Sequence, residues 1–207
     1  MLILCDFDGT ITEQDVTNLI WDRHIRPDWR EALLPPYRAG IVSPPELMAQ
    51  GYGEISAGAE ELLDFVRPQV NLRRGFEPFL AACESRAWPF RVVSQGLDWY
   101  LRAFLPPGVT FHCLEAELKG TWQVRVPAEV GLPAGQDYKV WIMEGLRREH
   151  PSRPAVFFGD GTNDLPIARK ADRVFAVAGS MLERLCAEHG VPATSFTGFD
   201  EALDALS

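Results

Sequence analysis

The sequence predicts an α/β fold, a doubly wound parallel sheet of Rossmann-like type with a small helical insert after the first strand. Three observations predict it. Short apolar runs alternate with helical stretches along most of the chain, the pattern of a parallel sheet covered on both faces. Two of those runs end in acidic, glycine-flanked turns, Asp6-Phe7-Asp8-Gly9-Thr10 and Gly159-Asp160-Gly161-Thr162-Asn163-Asp164. Residues 13–75 show helical spacing and paired prolines but no clear strand, the mark of an insertion. The expected division is a core of residues 1–12 and 76–207 and a cap of residues 13–75.

Each element follows in order. MLILCDF is too short for a helix and reads as a buried strand bounded by Gly9-Thr10. EQDVTNLIWDRH and AGAEELLDFVRPQV have apolar residues at helical spacing. Between them, Pro35-Pro36 and Pro44-Pro45 are expected to break the chain into short helices. GFEPFLAACESRA reads as a helix, PFRVVSQG as a buried strand ending at Ser94, and LDWYLRAFL as the next helix. Alternation around Lys119-Gly120 signals a hairpin expected near the entrance of the site. DYKVWIMEGLRREH is amphipathic and helical; PAVFFGDG is a strand ending in acid. NDLPIARKA, RVFAVAG and SMLERLCAEHG then read as helix, strand and helix, the last closed by a glycine.

The bulk properties narrow the function. A chain of 207 residues suffices for one core with a small accessory domain. A formal charge of −9 with no basic run speaks against nucleic acid and against anionic membrane surfaces as partners. No apolar stretch reaches the length of a membrane span, and MLILCDFDGT lacks the positive start of a signal peptide. Cys5, Cys83, Cys113 and Cys186 form no C-x-x-C pair, so reduced thiols in a cytoplasmic protein are expected rather than a zinc site.

The chemistry lies where two strands end in acid. In open α/β sheets ligands bind beyond the carboxyl ends of the strands, so both clusters belong at one edge. Crowded carboxylates raise one another's pKa unless a cation compensates. Magnesium, which takes oxygen ligands in octahedral array, suits the purpose. One physical reading is a magnesium site made by Asp6, Asp160 and Asp164, with a backbone carbonyl near Asp8.

DFDGT after the first strand and GDGTND after a late one resemble the haloacid dehalogenase-like superfamily of phosphatases. That pattern implies a Ser or Thr ending the second core strand, matched by Ser94, and a Lys on the helix before the late strand, matched by Lys139. The resemblance implies phosphoryl transfer through an aspartyl phosphate. Asp6 would be the nucleophile and Asp8 the general acid and base. Ser94, the backbone at Gln95, Lys139, Gly9 and Thr10 would hold the phosphoryl group. Asp6, Asp8, Asp160 and Asp164 would surround the metal. An Asp two residues after the nucleophile favours a phosphate-ester hydrolase over a dehalogenase.

Within the superfamily the chain looks most like the phosphoserine phosphatase-like group. CDFDGTIT, Asp15, Asn18, LRRGFEPFL and PFRVVSQGLDWYL are similar to a methionine-salvage branch acting on 2-hydroxy-3-keto-5-methylthiopentenyl-1-phosphate. The implied partner is a small phosphorylated metabolite. Asp15, Asn18, Trp21 and Tyr37 are its candidate contacts, with Trp21, His24, Trp29, Tyr37 and Tyr52 as candidates for an apolar pocket. Gln95 departs from the glycine which that branch tends to carry after the serine. No Arg or Lys lies between Val42 and Val66, so a substrate carboxylate would depend on Arg38, Arg73 or Arg74. The alternatives are a phosphoserine-type hydrolase and a non-catalytic module that binds a cation or phosphate.

Overall fold

β1 (Leu2–Cys5) is buried at every position, which explains why LILC shows no polar alternation. In a computed structural model that describes residues 1–206, it is the central strand of the sheet. Four helices follow: α1 (Val16–His24), α2 (Trp29–Arg38), α3 (Pro44–Tyr52) and α4 (Ala59–Val66). The chain then runs through α5 (Phe76–Ser85), β2 (Phe90–Leu97), α6 (Asp98–Phe104), β3 (Phe111–Lys119) and β4 (Thr121–Arg125). It finishes with α7 (Tyr138–Glu149), β5 (Ala155–Gly159), α8 (Leu165–Ala168), β6 (Arg173–Val177), α9 (Met181–Glu188), β7 (Thr194–Phe196) and α10 (Phe199–Leu206).

Among these residues the strands form one seven-stranded sheet in the order β4-β3-β2-β1-β5-β6-β7. Every neighbouring pair is parallel except β3 and β4. The chain winds outward from β1 in both directions, the doubly wound arrangement that the alternation predicts. Strand periodicity divides the core. Ile3, Cys5, Val156 and Phe158 pack on one face with α5, α6 and α10. Leu2, Leu4, Ala155 and Phe157 pack on the other with α7, α8 and α9. Phe158 lies flat on Phe175, with ring centroids 4.7 Å apart, in the middle of the first face.

The segment holding α1 to α4 leaves and rejoins the sheet at one neck. Thr12 bridges Leu72 in antiparallel sense. Glu13 N–H donates to Asn71 O at 2.9 Å, and Arg73 N–H to Ile11 O at 2.7 Å. The Arg73 guanidinium then donates to the carbonyls of Gly9 and Thr10, at 2.6 and 2.7 Å.

Several local expectations are corrected. β2 continues past Ser94 to Leu97, with a register shift against β3 between Val93 and Leu97. Pro35 and Pro36 lie inside the last turns of α2, where the carbonyl of Pro35 still accepts from Ala39 N–H. Pro44 opens α3, which keeps the expected division into short helices, because the missing N–H belongs to the unpaired first turn anyway. Ser43 caps it, its N–H and hydroxyl both donating to Glu46. The 162–164 stretch is a 3-10 turn, and α8 is only one turn long. The β3–β4 hairpin does not line the cavity described below. Trp122 stacks on Trp99 at 5.3 Å and donates to Ala57 O at 3.0 Å, tying the hairpin to the segment before α4.

Candidate active site

Asp6 directly follows β1, and its N–H donates to Phe158 O at 2.9 Å, which sets it beside the end of β5. Its Oδ1 lies 2.9 Å from Lys139 Nζ, and the same ammonium lies 2.6 Å from Asp164 Oδ1. Lys139 is at the second position of α7, a helix capped by Asp137, whose carboxylate accepts from Val140 N–H at 2.9 Å. Lys139 is fully buried. Burial alone would lower its pKa, but Asp164 and Asp6 outweigh that and hold it charged above the ordinary lysine value. Burial pushes the Asp6 carboxyl up to about 6, opposed by the Lys139 charge and aided by Asp164.

Asp160 follows β5 and accepts from the Thr10 hydroxyl at 2.8 Å. Gly9 has φ +74, and a Cβ there would stand 2.4 Å from Asp160 Oδ2, so the DFDGT turn needs glycine both for its backbone and for the close approach of that acid. Asp6, Asp160 and Asp164 each present an oxygen within 4.8 Å of the others. Burial raises Asp160 well above the usual carboxylate range, with Asp164 and Asp6 adding to it. An all-oxygen, buried and electrostatically strained set of this kind fits a magnesium ion. Within it Asp164 is already occupied. Its Oδ2 accepts from the N–H groups of Asp160 and Gly161, at 3.0 and 2.9 Å, and its Oδ1 from Lys139. That suits Asp164 to shaping the turn that aims Asp160 more than to direct ligation.

The Asp8 carboxylate is not in this group of three. Its Oδ1 accepts from Val16 N–H at 2.9 Å, and its Oδ2 from the Tyr100 hydroxyl at 2.7 Å. Tyr100 continues through Thr17 (3.1 Å) to Tyr52 (3.4 Å), a buried run of hydroxyls. Burial, with Asp15 next, raises Asp8 well above the carboxylate range. Gly96 leaves the room for this: a Cβ there would lie 2.2 Å from the Tyr100 hydroxyl and 2.8 Å from Asp8 Oδ2. Ser94 is buried, and its hydroxyl oxygen accepts from Gly96 N–H at 3.0 Å. Gln95 Oε1 accepts from Asn163 Nδ2 at 2.8 Å.

A cavity of about 330 Å³ opens over these groups. Asp6, Asp8, Ser94, Gln95 and Asp160 lie on the core side. Opposite them, Trp21, Trp29, Leu34, Tyr37, Leu47 and Met48 come from α1 to α3. Asp15 and Asn18 line it as well, bonded to each other because Asp15 caps α1, accepting from Asn18 N–H at 2.7 Å and Asn18 Nδ2 at 2.8 Å. Of the expected apolar residues, His24 and Tyr52 do not line the cavity. Tyr52 is buried beneath it against Trp21, and His24 packs on Phe65. Arg73 is committed to the neck and Arg74 to Asp200 and Glu201, which leaves Arg38 of those three at the cavity; Arg30 lines it too but is paired with Asp22. Tyr100, Thr17 and Asn163 are site residues that the sequence reading did not single out. Asn163 stood inside the quoted GDGTND, but the two hydroxyls carry no pattern that points to Asp8.

The model of the haloacid dehalogenase-like hydrolase family matches residues 3–169. A 2-hydroxy-3-keto-5-methylthiopentenyl-1-phosphate phosphatase of Geobacillus kaustophilus is 31% identical over 100% of this chain and 95% of its own. One of Exiguobacterium sibiricum is 27% identical over 99% and 95%. A solved phosphoserine phosphatase, described as a phospho-aspartyl intermediate analogue, superposes with TM-score 0.76 at 19% identity, covering 99% of this chain and 97% of that one. Two acidic strand ends, a buried lysine between them and a match that takes in all of these residues have one common source: the chain belongs to the haloacid dehalogenase-like hydrolases.

Proposed function

We propose that this hydrolase is a magnesium-dependent phosphomonoesterase working through an aspartyl phosphate on Asp6. The observation that carries the reading is the different treatment of two neighbouring acids. Asp6 is paired with the buried ammonium of Lys139, which favours the ionised, nucleophilic form. Asp8 stands apart: burial and the nearby charge of Asp15 favour its protonated form and outweigh the hydrogen bonds that Tyr100 and Val16 donate to it.

Asp6 attacks phosphorus and the bond to the ester oxygen breaks, while Asp8 delivers its proton to that leaving oxygen. Asp8, now ionised, takes a proton from water as the water attacks the phosphorus of the acyl phosphate. Phosphate leaves and Asp6 is regenerated. Lys139 offsets negative charge at the attacking carboxylate, and the Ser94 hydroxyl and the backbone N–H at Gln95 donate to phosphoryl oxygens. Asp6 and Asp160 would hold magnesium, which when bound supplies charge neutralisation to the phosphoryl oxygens.

Residues 13–75 act as the cap and residues 1–12 and 76–207 as the core of this reading. The apolar wall of Trp21, Trp29, Leu47 and Met48 suits a small ester with an apolar tail. With the names of the relatives, this supports 2-hydroxy-3-keto-5-methylthiopentenyl-1-phosphate as substrate. Arg38 at the rim favours a second reading, a phosphoserine-type substrate whose carboxylate it would pair. Four free, buried cysteines and the absence, among the described residues, of any helix long and apolar enough to cross a membrane suit a cytoplasmic enzyme.

The test is phosphate release with magnesium from the pentenyl phosphate, phosphoserine and p-nitrophenyl phosphate. Turnover of the first well above phosphoserine is expected, and Asp6→Asn should abolish it while the protein stays folded. Preference for phosphoserine would transfer the assignment to the second reading. Full activity in Asp6→Asn would sink the mechanism.

A further inference from the structure

Gln95 is 6% exposed and lines the cavity. Its Oε1 is occupied by Asn163, but its Nε2 has no hydrogen-bond partner among the described residues. A buried donor without an acceptor is costly, and proteins rarely keep one without a use. Asn163 fixes the carboxamide, so the nitrogen cannot simply rotate away to solvent. The cavity is where an acceptor can arrive.

We propose that Gln95 determines specificity by donating its side-chain N–H to an uncharged oxygen, carbonyl or hydroxyl, on the carbon next to the phosphorylated carbon of the substrate. The inference rests on the reading of the site as a phosphate-ester hydrolase. The backbone N–H at Gln95 serves the phosphoryl group in that reading. The side-chain amide, at the end of a two-methylene arm, is then left for another part of the ester. Asp6, Asp8 and Asp160 already crowd this floor with carboxyl groups, so a neutral donor matches a neutral acceptor there. A site built to bond a substrate oxygen rejects an analogue lacking it far more strongly than an apolar wall rejects a size difference.

A matched pair of esters tests this without the natural substrate. Hydroxyacetone phosphate carries a carbonyl beside its phosphorylated carbon, and n-propyl phosphate does not. With magnesium, the wild-type protein is expected to favour the ketone by about tenfold or more in kcat/KM. Gln95→Met keeps the length of the side chain and removes the donor, and should bring that ratio close to one. Gln95→Glu keeps an acceptor for Asn163 and should also lose the ratio, so it decides the matter if the Met variant fails to fold. A wild type without preference, or a ratio preserved in the folded variants, overturns the inference. Loss of both substrates in equal proportion overturns it too, since it would assign Gln95 to the phosphoryl group alone. If the wild-type protein releases phosphate from no ester, the hydrolase reading fails first and the inference with it. If esters are hydrolysed and only the ratio is indifferent to Gln95, the inference alone fails.

Discussion

Lys139 has no exposed surface and is shared by Asp6 and Asp164. Removing one partner of such a buried arrangement leaves uncompensated charge, at about 3–5 kcal/mol. Lys139→Met, similar in volume, should therefore lose about that much stability in chemical denaturation at alkaline pH. The loss should shrink in acid, where protonation of Asp6 relieves it. Equal destabilisation at both pH values would overturn the account. At this scale the sequence is most legible where chemistry dictates strings of residues. Asp6, Asp8, Ser94, Lys139, Asp160 and Asp164 were all visible, and all lie at one sheet edge. The hydroxyl run from Tyr100 through Thr17 to Tyr52 was not, because a tyrosine supporting a carboxylate from another element has the same local sequence as one filling a core.

Among the elements, α1 and α3 are locked by a glycine. A Cβ on Gly51 would fall 2.2 Å from Cζ2 and 2.4 Å from Cε2 of Trp21. Trp21 in turn packs edge-on to Trp29 and Tyr52, at 5.1 and 5.8 Å. Gly51→Ala gains about 0.5–1 kcal/mol of helix propensity. Crowding of a packed site costs about 1–3 kcal/mol, so the crowding wins. The variant should melt lower than its parent and, because Trp21 must move, show a raised KM for the pentenyl phosphate. An unchanged Tm and KM would mean that the ring yields freely. Element boundaries are less legible in the sequence. The paired prolines do divide the segment into short helices, each by its position: Pro44 sits at a helix start and Pro35-Pro36 near a helix end. The strand at β7 is three residues long and gives no periodicity to read.

For the molecule as a whole, the alternation of strands and helices is enough to give a doubly wound parallel sheet, though not its strand order. The joint consequence of the acids is a pH effect. The folded state raises Asp6 from 3.8 to about 6, so between those values it holds a proton that the unfolded chain has released. Stability of the metal-free protein from this group therefore falls as pH rises through that window. In the proposed site magnesium would compete with the same proton. Its stabilising effect on Tm should be larger at about pH 7.5 than at about pH 5. A magnesium effect that is absent, or greater in acid, would contradict the proposed metal site.

The neck at Thr12 and Leu72 has a topological consequence. The excursion through α1 to α4 begins and ends at one point of the sheet, clasped by Arg73. To the sheet it is a single closed loop, and the entropy of closing a loop rises only with the logarithm of its length. The size of what hangs from the neck is thus nearly a free variable for folding, although its helices wall the cavity that holds Asp6. That hanging portion could be lengthened or trimmed at little cost in closure entropy, with the acids of the sheet edge left in place.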